Sequence, residues 1–165
     1  EYCAQMGETD FEFVSRLLEE EGIFYFFRFE EERHVLVLGD SKACYQDCAI
    51  AELEYVSAEP NTHQVADWEH RYEFVSGRWA HTDYDFKAPT TRLLKQIDTV
   101  LPLPNASVFE RYEYPGGYTA ADHGESKVRA RMEAEEAQHD VVDASSGCPA
   151  LALGSTFTLA HGRYD

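Results

Sequence analysis

The chain has 165 residues, 31 of them acidic and 14 basic, so its formal net charge is −17. That sign works against docking on a nucleic-acid backbone or an anionic membrane and suits a basic partner or none. The length is enough for a real core in one domain or two lobes, and 10 Phe, 10 Tyr and 2 Trp suit a β-rich interior and adhesive surfaces.

In chain order, residues 1–8 read as a lead-in. Thr9 followed by Glu12 is a capping box, and Phe11, Val14, Leu17 and Leu18, widened by Phe13, form one apolar helical stripe. Gly22 ends that helix, and Glu19, Glu20 and Glu21 crowd its C-terminal turn, where the helix dipole disfavours negative charge. From Ile23 to Phe29 six of seven residues are apolar or aromatic, predicting a strand. Glu30 to Arg33 is a turn, and His34 to Leu38 returns as the second strand of a hairpin. Residues 42–47 are polar and irregular, 48–56 predict a short strand, and Pro60-Asn61 marks the expected boundary between lobes 1–60 and 61–165.

Val65 to Val75 alternates, with Trp68, His70, Tyr72 and Phe74 on one face. Ser76-Gly77 reads as a turn, and Arg78 to Phe86 continues the alternation with Ala80, Thr82, Tyr84 and Phe86 together. The pair predicts a long antiparallel hairpin ended by Pro89. Residues 90–106, interrupted by Pro102 and Pro104, predict a connection of low regularity. Residues 108–114 predict a strand, stopped by Pro115-Gly116-Gly117. A helix over about 120–140 is rich in Ala, Glu and Arg and offers one narrow face, Val128 and Met132. Residues 141–144 start a strand, and Leu151 to His161 ends the chain with a Gly turn and an alternating Phe157–Leu159 strand. Two helices among many strands, without a β-α-β rhythm, define an α+β chain with mainly antiparallel sheet and barrel-like modules.

No chemistry-bearing constellation stands out. His81, Asp83 and Asp85 share one strand face and would suit a divalent ion or a hydrolase site, but the solvated side of a half-buried strand explains them more simply. Trp68, His70 and Tyr72 would suit a stacked sugar; a core-facing stripe is the simpler account. Cys44 and Cys48 lack a second compact ligand pair, so with Cys3 and Cys148 they are expected as reduced thiols, with no metal and no cofactor. No G-x-S-x-G, H-E-x-x-H, P-loop or dinucleotide pattern occurs. No apolar run reaches membrane-span length and no signal peptide is visible; the first residue is Glu1 rather than Met, which suggests an excised piece.

Four segments carry a resemblance: ETDFEFVSRLLEEEGIFYFF, WEHRYEFVSGRWAHTDYDFKAP, YEYPGGY and LALGSTFTLAH. In type, order and spacing they resemble the VgrG family, the spike proteins of type VI secretion systems, also known as Rhs-element Vgr proteins. The match covers residues 8–161. The resemblance implies an interior piece of a phage tail hub-like region, whose small β-barrel modules form a homotrimeric ring of pseudo-sixfold symmetry between a hexameric tail tube and a needle. It implies no catalytic residues. It implies partners that are further copies of the chain, the tail-tube protein, and effectors or adaptors, with assembly in the bacterial cytoplasm followed by delivery at the spike tip. The aromatic strands provide the candidate interface residues Trp68, Tyr72, Phe74, Trp79, Tyr84, Phe86 and Tyr112. The rival reading is a hydrolase or glycan-binding module built on His81, Asp83 and Asp85.

Overall fold

A computed structural model describes residues 3–160; of the expected features, the first two residues of the lead-in and His161 lie outside this range. The chain divides into two compact units, each assembled from separated stretches. One takes the chain up to Gly22 together with Tyr72–His139; the other takes Ile23–Arg71 and the chain from Asp140 onward. The expected lobes 1–60 and 61–165 follow the chain in order and do not coincide with these units.

In the first unit, helix α1 (Asp10–Glu20) starts as its sequence dictates. Thr9 Oγ1 accepts from the Glu12 N–H at 3.3 Å, and Glu12 accepts from the Thr9 N–H at 2.8 Å. Gly22 follows at φ +72, the left-handed conformation glycine adopts without steric cost. No residue of α1 is fully buried. A three-stranded sheet has the order β6 (Lys95–Asp98), β5 (Arg78–His81), β7 (Glu110–Glu113), with β5 antiparallel to β6 and parallel to β7. Helix α2 (Ala121–Glu136) lays Val128 and Met132 on Trp79 and Ile97, the narrow face its sequence predicts.

The second unit holds the predicted hairpin β1 (Phe24–Glu30) and β2 (Arg33–Gly39), in register from Phe24↔Gly39 to Glu30↔Arg33. A 3-10 turn, Lys42–Cys44, leads into β3 (Gln46–Tyr55). A four-stranded sheet has the order β8 (Asp140–Ser146), β4 (Gln64–Tyr72), β3, β9 (Ser155–Ala160), and β3 runs parallel to both β4 and β9. Leu53, Val65 and Cys148 are buried at its centre, with Ile50, Trp68, Leu151, Phe157 and Leu159 packed around them. Gly154, at φ +74, sits where a Cβ would fall 2.2 Å from the Phe26 ring, so only glycine fits.

Among the described residues the architecture is α+β with two α-helices and mixed sheets, and none of the three described sheets closes into a barrel. The pairs β3–β4, β3–β9 and β5–β7 are parallel where mainly antiparallel sheet was expected. The long hairpin over 65–86 is corrected: β4 and β5 belong to different sheets. Gly77 explains why. A Cβ there would lie 2.0 Å from the Ala106 carbonyl carbon, its N–H donates to Phe109 O, and its carbonyl accepts from Thr99 N–H. It is a crossing point for distant backbone, not a hairpin turn. The stretch 90–106 is more regular than expected, since it contains β6; four residues of mixed polarity between prolines give no periodic signal.

Candidate functional site

The densest polar arrangement lies where β5 ends. His81 is only 1% exposed and its Nε2 is 2.8 Å from the Gly124 carbonyl in α2. A carbonyl only accepts, so Nε2 carries a proton. The Tyr118 ring packs on His81 with centroids 4.8 Å apart, and its hydroxyl lies 2.6 Å from Leu93 O and 3.1 Å from His81 O. Its single proton serves the nearer carbonyl. Gly124 is glycine for steric reasons: a Cβ would fall 2.4 Å from Tyr118 Cε2.

Asp83 ties the same corner to the Pro-Gly-Gly turn. Its Oδ2 accepts from the Gly117 N–H at 2.6 Å and the Tyr118 N–H at 3.1 Å, and Oδ1 accepts from the Tyr84 N–H at 2.7 Å. Burial pushes this carboxyl up, but the three backbone donors and nearby Lys127 together outweigh it, so it titrates below the usual aspartate range. Burial, followed by the Asp83 charge, pushes the Tyr118 phenol up.

These facts overturn the expected faces of the strand. His81 is buried and Asp83 is spent on backbone, whereas Tyr84 and Phe86, expected to face inward, are exposed, Phe86 at 77%. The strand lasts only four residues, and Trp79, Ala80 and His81 are all buried, so β5 is covered on both faces and alternation stops reporting on it. Asp85 accepts from the Lys87 N–H on the following turn. The three residues do not converge as an acid, a base and a nucleophile. A cavity of about 780 Å³ in this unit is lined by Leu17, Glu21, His81, Glu113, Gly116 and Arg131 among others. Its cations are largely committed: Arg16 binds Glu8 at 2.7 Å and lies 3.4 Å from Glu20, Lys127 donates to Gly117 O, and Arg131 Nε is 3.8 Å from Glu113. The four cysteines are free thiols, and among the described residues no group of three or more His, Cys, Asp or Glu is arranged to hold a metal ion.

The candidate interface residues separate by exposure. Trp79 is 6% exposed in the core, beneath the Arg111 guanidinium at 4.7 Å, and Trp68 packs on the core of the second unit; neither presents a free surface. Tyr72, Phe74, Tyr84, Phe86 and Tyr112 are exposed, all on the first unit. Val108, Phe109 and Tyr114 join them, and Phe74 meets Phe109 edge-on at 5.1 Å. These last three flank β7, an edge strand, a position the sequence does not reveal.

One arrangement escaped sequence reasoning altogether. His70 on β4 places Nδ1 2.7 Å from Asp140 Oδ1 on β8, the geometry of a carboxylate–imidazole general base. The indole N–H of Trp68 donates to its Nε2 at 3.1 Å, occupying the lone pair a base would use. The two partners are 70 residues apart, so no local pattern could announce them.

The described residues thus combine open mixed sheets, exposed aromatic side chains, and polar clusters turned inward to hold backbone. The sequence matches the phage tail baseplate hub (GPD) family over residues 1–164, and the chain belongs to that family. It is also similar to three proteins of Pseudomonas aeruginosa PAO1: type VI secretion system spike protein VgrG1a, 35% identical over 97% of this chain; VgrG1b, 34% over 97%; and VgrG5, 33% over 99%. The matches cover 25%, 22% and 21% of those proteins, so the chain spans about a quarter or less of their length. Among the described residues no helix is long and apolar enough to cross a membrane.

Proposed function

We propose that this chain is a structural element of the hub of a type VI secretion spike, adapting a hexameric tail tube to a threefold needle for effector delivery, and that it turns over no substrate. The observation that carries this reading is the hub-family match across 1–164, with similarity to VgrG spike proteins over nearly the same span. In the assembly the chain is homotrimeric, and barrel-like modules close when the open sheet edges, β6 and β7 in one unit and β8 and β9 in the other, find partner strands. Tyr72, Phe74, Tyr84, Phe86 and Tyr112 are the proposed contact residues, Trp68 and Trp79 having core roles. The other partners are the tail-tube protein and effectors or adaptors. Assembly takes place in the cytoplasm, followed by delivery at the spike tip.

The test is the mass in solution, by light scattering, of a polypeptide that carries this chain in its natural setting, compared with the chain alone. A trimer that Phe86→Ser and Tyr112→Ser weaken is expected. A strictly monomeric species at every concentration overturns the reading.

A further inference from the structure

We propose that His70 is a protonation-dependent bridge between the edge strand β8 and the hydrophobic core of the four-stranded sheet. An indole N–H can only donate, so the Trp68 contact at 3.1 Å requires a lone pair on His70 Nε2. An ionised carboxylate can only accept, so the Asp140 contact at 2.7 Å requires a proton on Nδ1. Together they select one neutral tautomer.

The imidazolium carries N–H groups at both positions. Its bond to Asp140 survives and becomes charge-assisted, while Nε2–H then confronts the Trp68 N–H, donor against donor. Trp68 is half-buried. It packs on the Leu53, Val65 and Cys148 core and meets Phe157 edge-on at 6.5 Å, so the lost contact is felt inside the sheet. Proton uptake leaves His70 with β8 and takes it from the core.

Charged and titratable groups line both strands, and His139, which precedes Asp140 in the chain, lies with Nδ1 2.7 Å from the Glu73 carbonyl oxygen. On β4 they are Asp67, Glu69 and Arg71. On β8 they are Asp140 and Asp143, with Asp143 3.4 Å from Arg71 and Asp67 accepting from the Ser145 hydroxyl at 2.6 Å. On β9 the residue against Trp68 is Phe157, which does not titrate. Ser145 on Asp67 and Ser146 on the Gln64 carbonyl keep β8 fastened while the bridge to the core opens.

The experiment is nitrogen-15 NMR of this chain from about pH 8 to pH 5. At the upper end the His70 ring is expected as the Nδ1–H tautomer. On acidification the Trp68 indole resonance moves in step with His70, through a single-proton transition. The Trp79 indole, whose Nε1 has no acceptor among the described residues, stays in place as the internal control. His70→Gln abolishes the Trp68 shift. An Nε2–H tautomer, a stationary Trp68 signal while His70 titrates, or a shift that persists in His70→Gln would overturn the proposal. If that variant does not fold, the wild-type tautomer and the co-titration decide alone.

Discussion

The two compact units solve the same problem with different materials. The second is held by apolar contacts: Leu53 is completely buried and Val65, Cys148, Phe157 and Leu159 close around it. The first has its own apolar centre, Trp79 with Val128 and Met132, and adds a polar corner in which His81, Asp83 and Tyr118 hold the backbone of α2, of the Pro-Gly-Gly turn and of Leu93. The difference bears on specificity. An apolar core tolerates substitutions that conserve volume, whereas a hydrogen-bonded corner accepts one geometry and loses disproportionately when a single partner is removed.

The most damaging change expected is in the apolar unit. Leu53→Ala removes a fully buried side chain and is expected to cost about 2–5 kcal/mol, read by denaturant unfolding and by faster hydrogen exchange in β3 and β9 than in α2. Equal acceleration in both units would show that they are not separate stability units and would break the comparison.

The polar unit is tested next. Gly124→Ala drives a methyl into the Tyr118 ring and is expected to cost about 1–3 kcal/mol. Combining it with Tyr118→Leu should cost less than the two single changes added together, in a double-mutant cycle. Strict additivity would mean the ring is not what excludes the methyl.

A pH experiment sharpens the contrast. Asp83 titrates below its unfolded value, so its contribution to stability is fully present above that value and is lost as pH falls through the lower folded one. Unfolding followed from about pH 5 down to pH 2 should weaken the first unit, and Asp83→Asn should flatten that acid slope at a cost of about 1.5–3 kcal/mol near neutrality. An unchanged slope in the variant would assign the acid sensitivity elsewhere.

The smallest effects lie on the surface of the first unit. Thr9→Ala removes one half of the capping box and is expected to cost about 1 kcal/mol, seen as fraying of α1 in hydrogen exchange. A loss above about 2 kcal/mol would mean that α1 does more than its exposed face suggests.

What was legible in the sequence was local. Thr9 with Glu12, Gly22, and the run from Ile23 to Leu38 declare their structures within a few residues, because capping, left-handed backbone and hairpin pairing are short-range. The narrow apolar face of α2 was readable for the same reason. Three things were not readable. β5 is sheathed on both faces, so alternation misassigned His81, Tyr84 and Phe86. The polar corner joins residues 81, 93, 117 and 124, and the Asp140–His70–Trp68 chain joins strands whose bridged residues are 70 positions apart. Gly77 carries the third lesson: a Ser-Gly pair looks the same whether it turns a hairpin or makes room for a crossing chain.

The interleaving of the units has a consequence for how the molecule is made. Neither is contiguous, so during synthesis the hairpin and β3 must wait, with aromatic strands uncovered, until residues beyond Asp140 emerge to supply β8 and β9. Over that interval the nascent chain exposes FYFFRF in extended form, the kind of segment that recruits chaperones or sticks to its neighbours. The acidic turn Glu30–Glu32 beside it is well placed as a gatekeeper, keeping those ribbons apart until the last strands arrive.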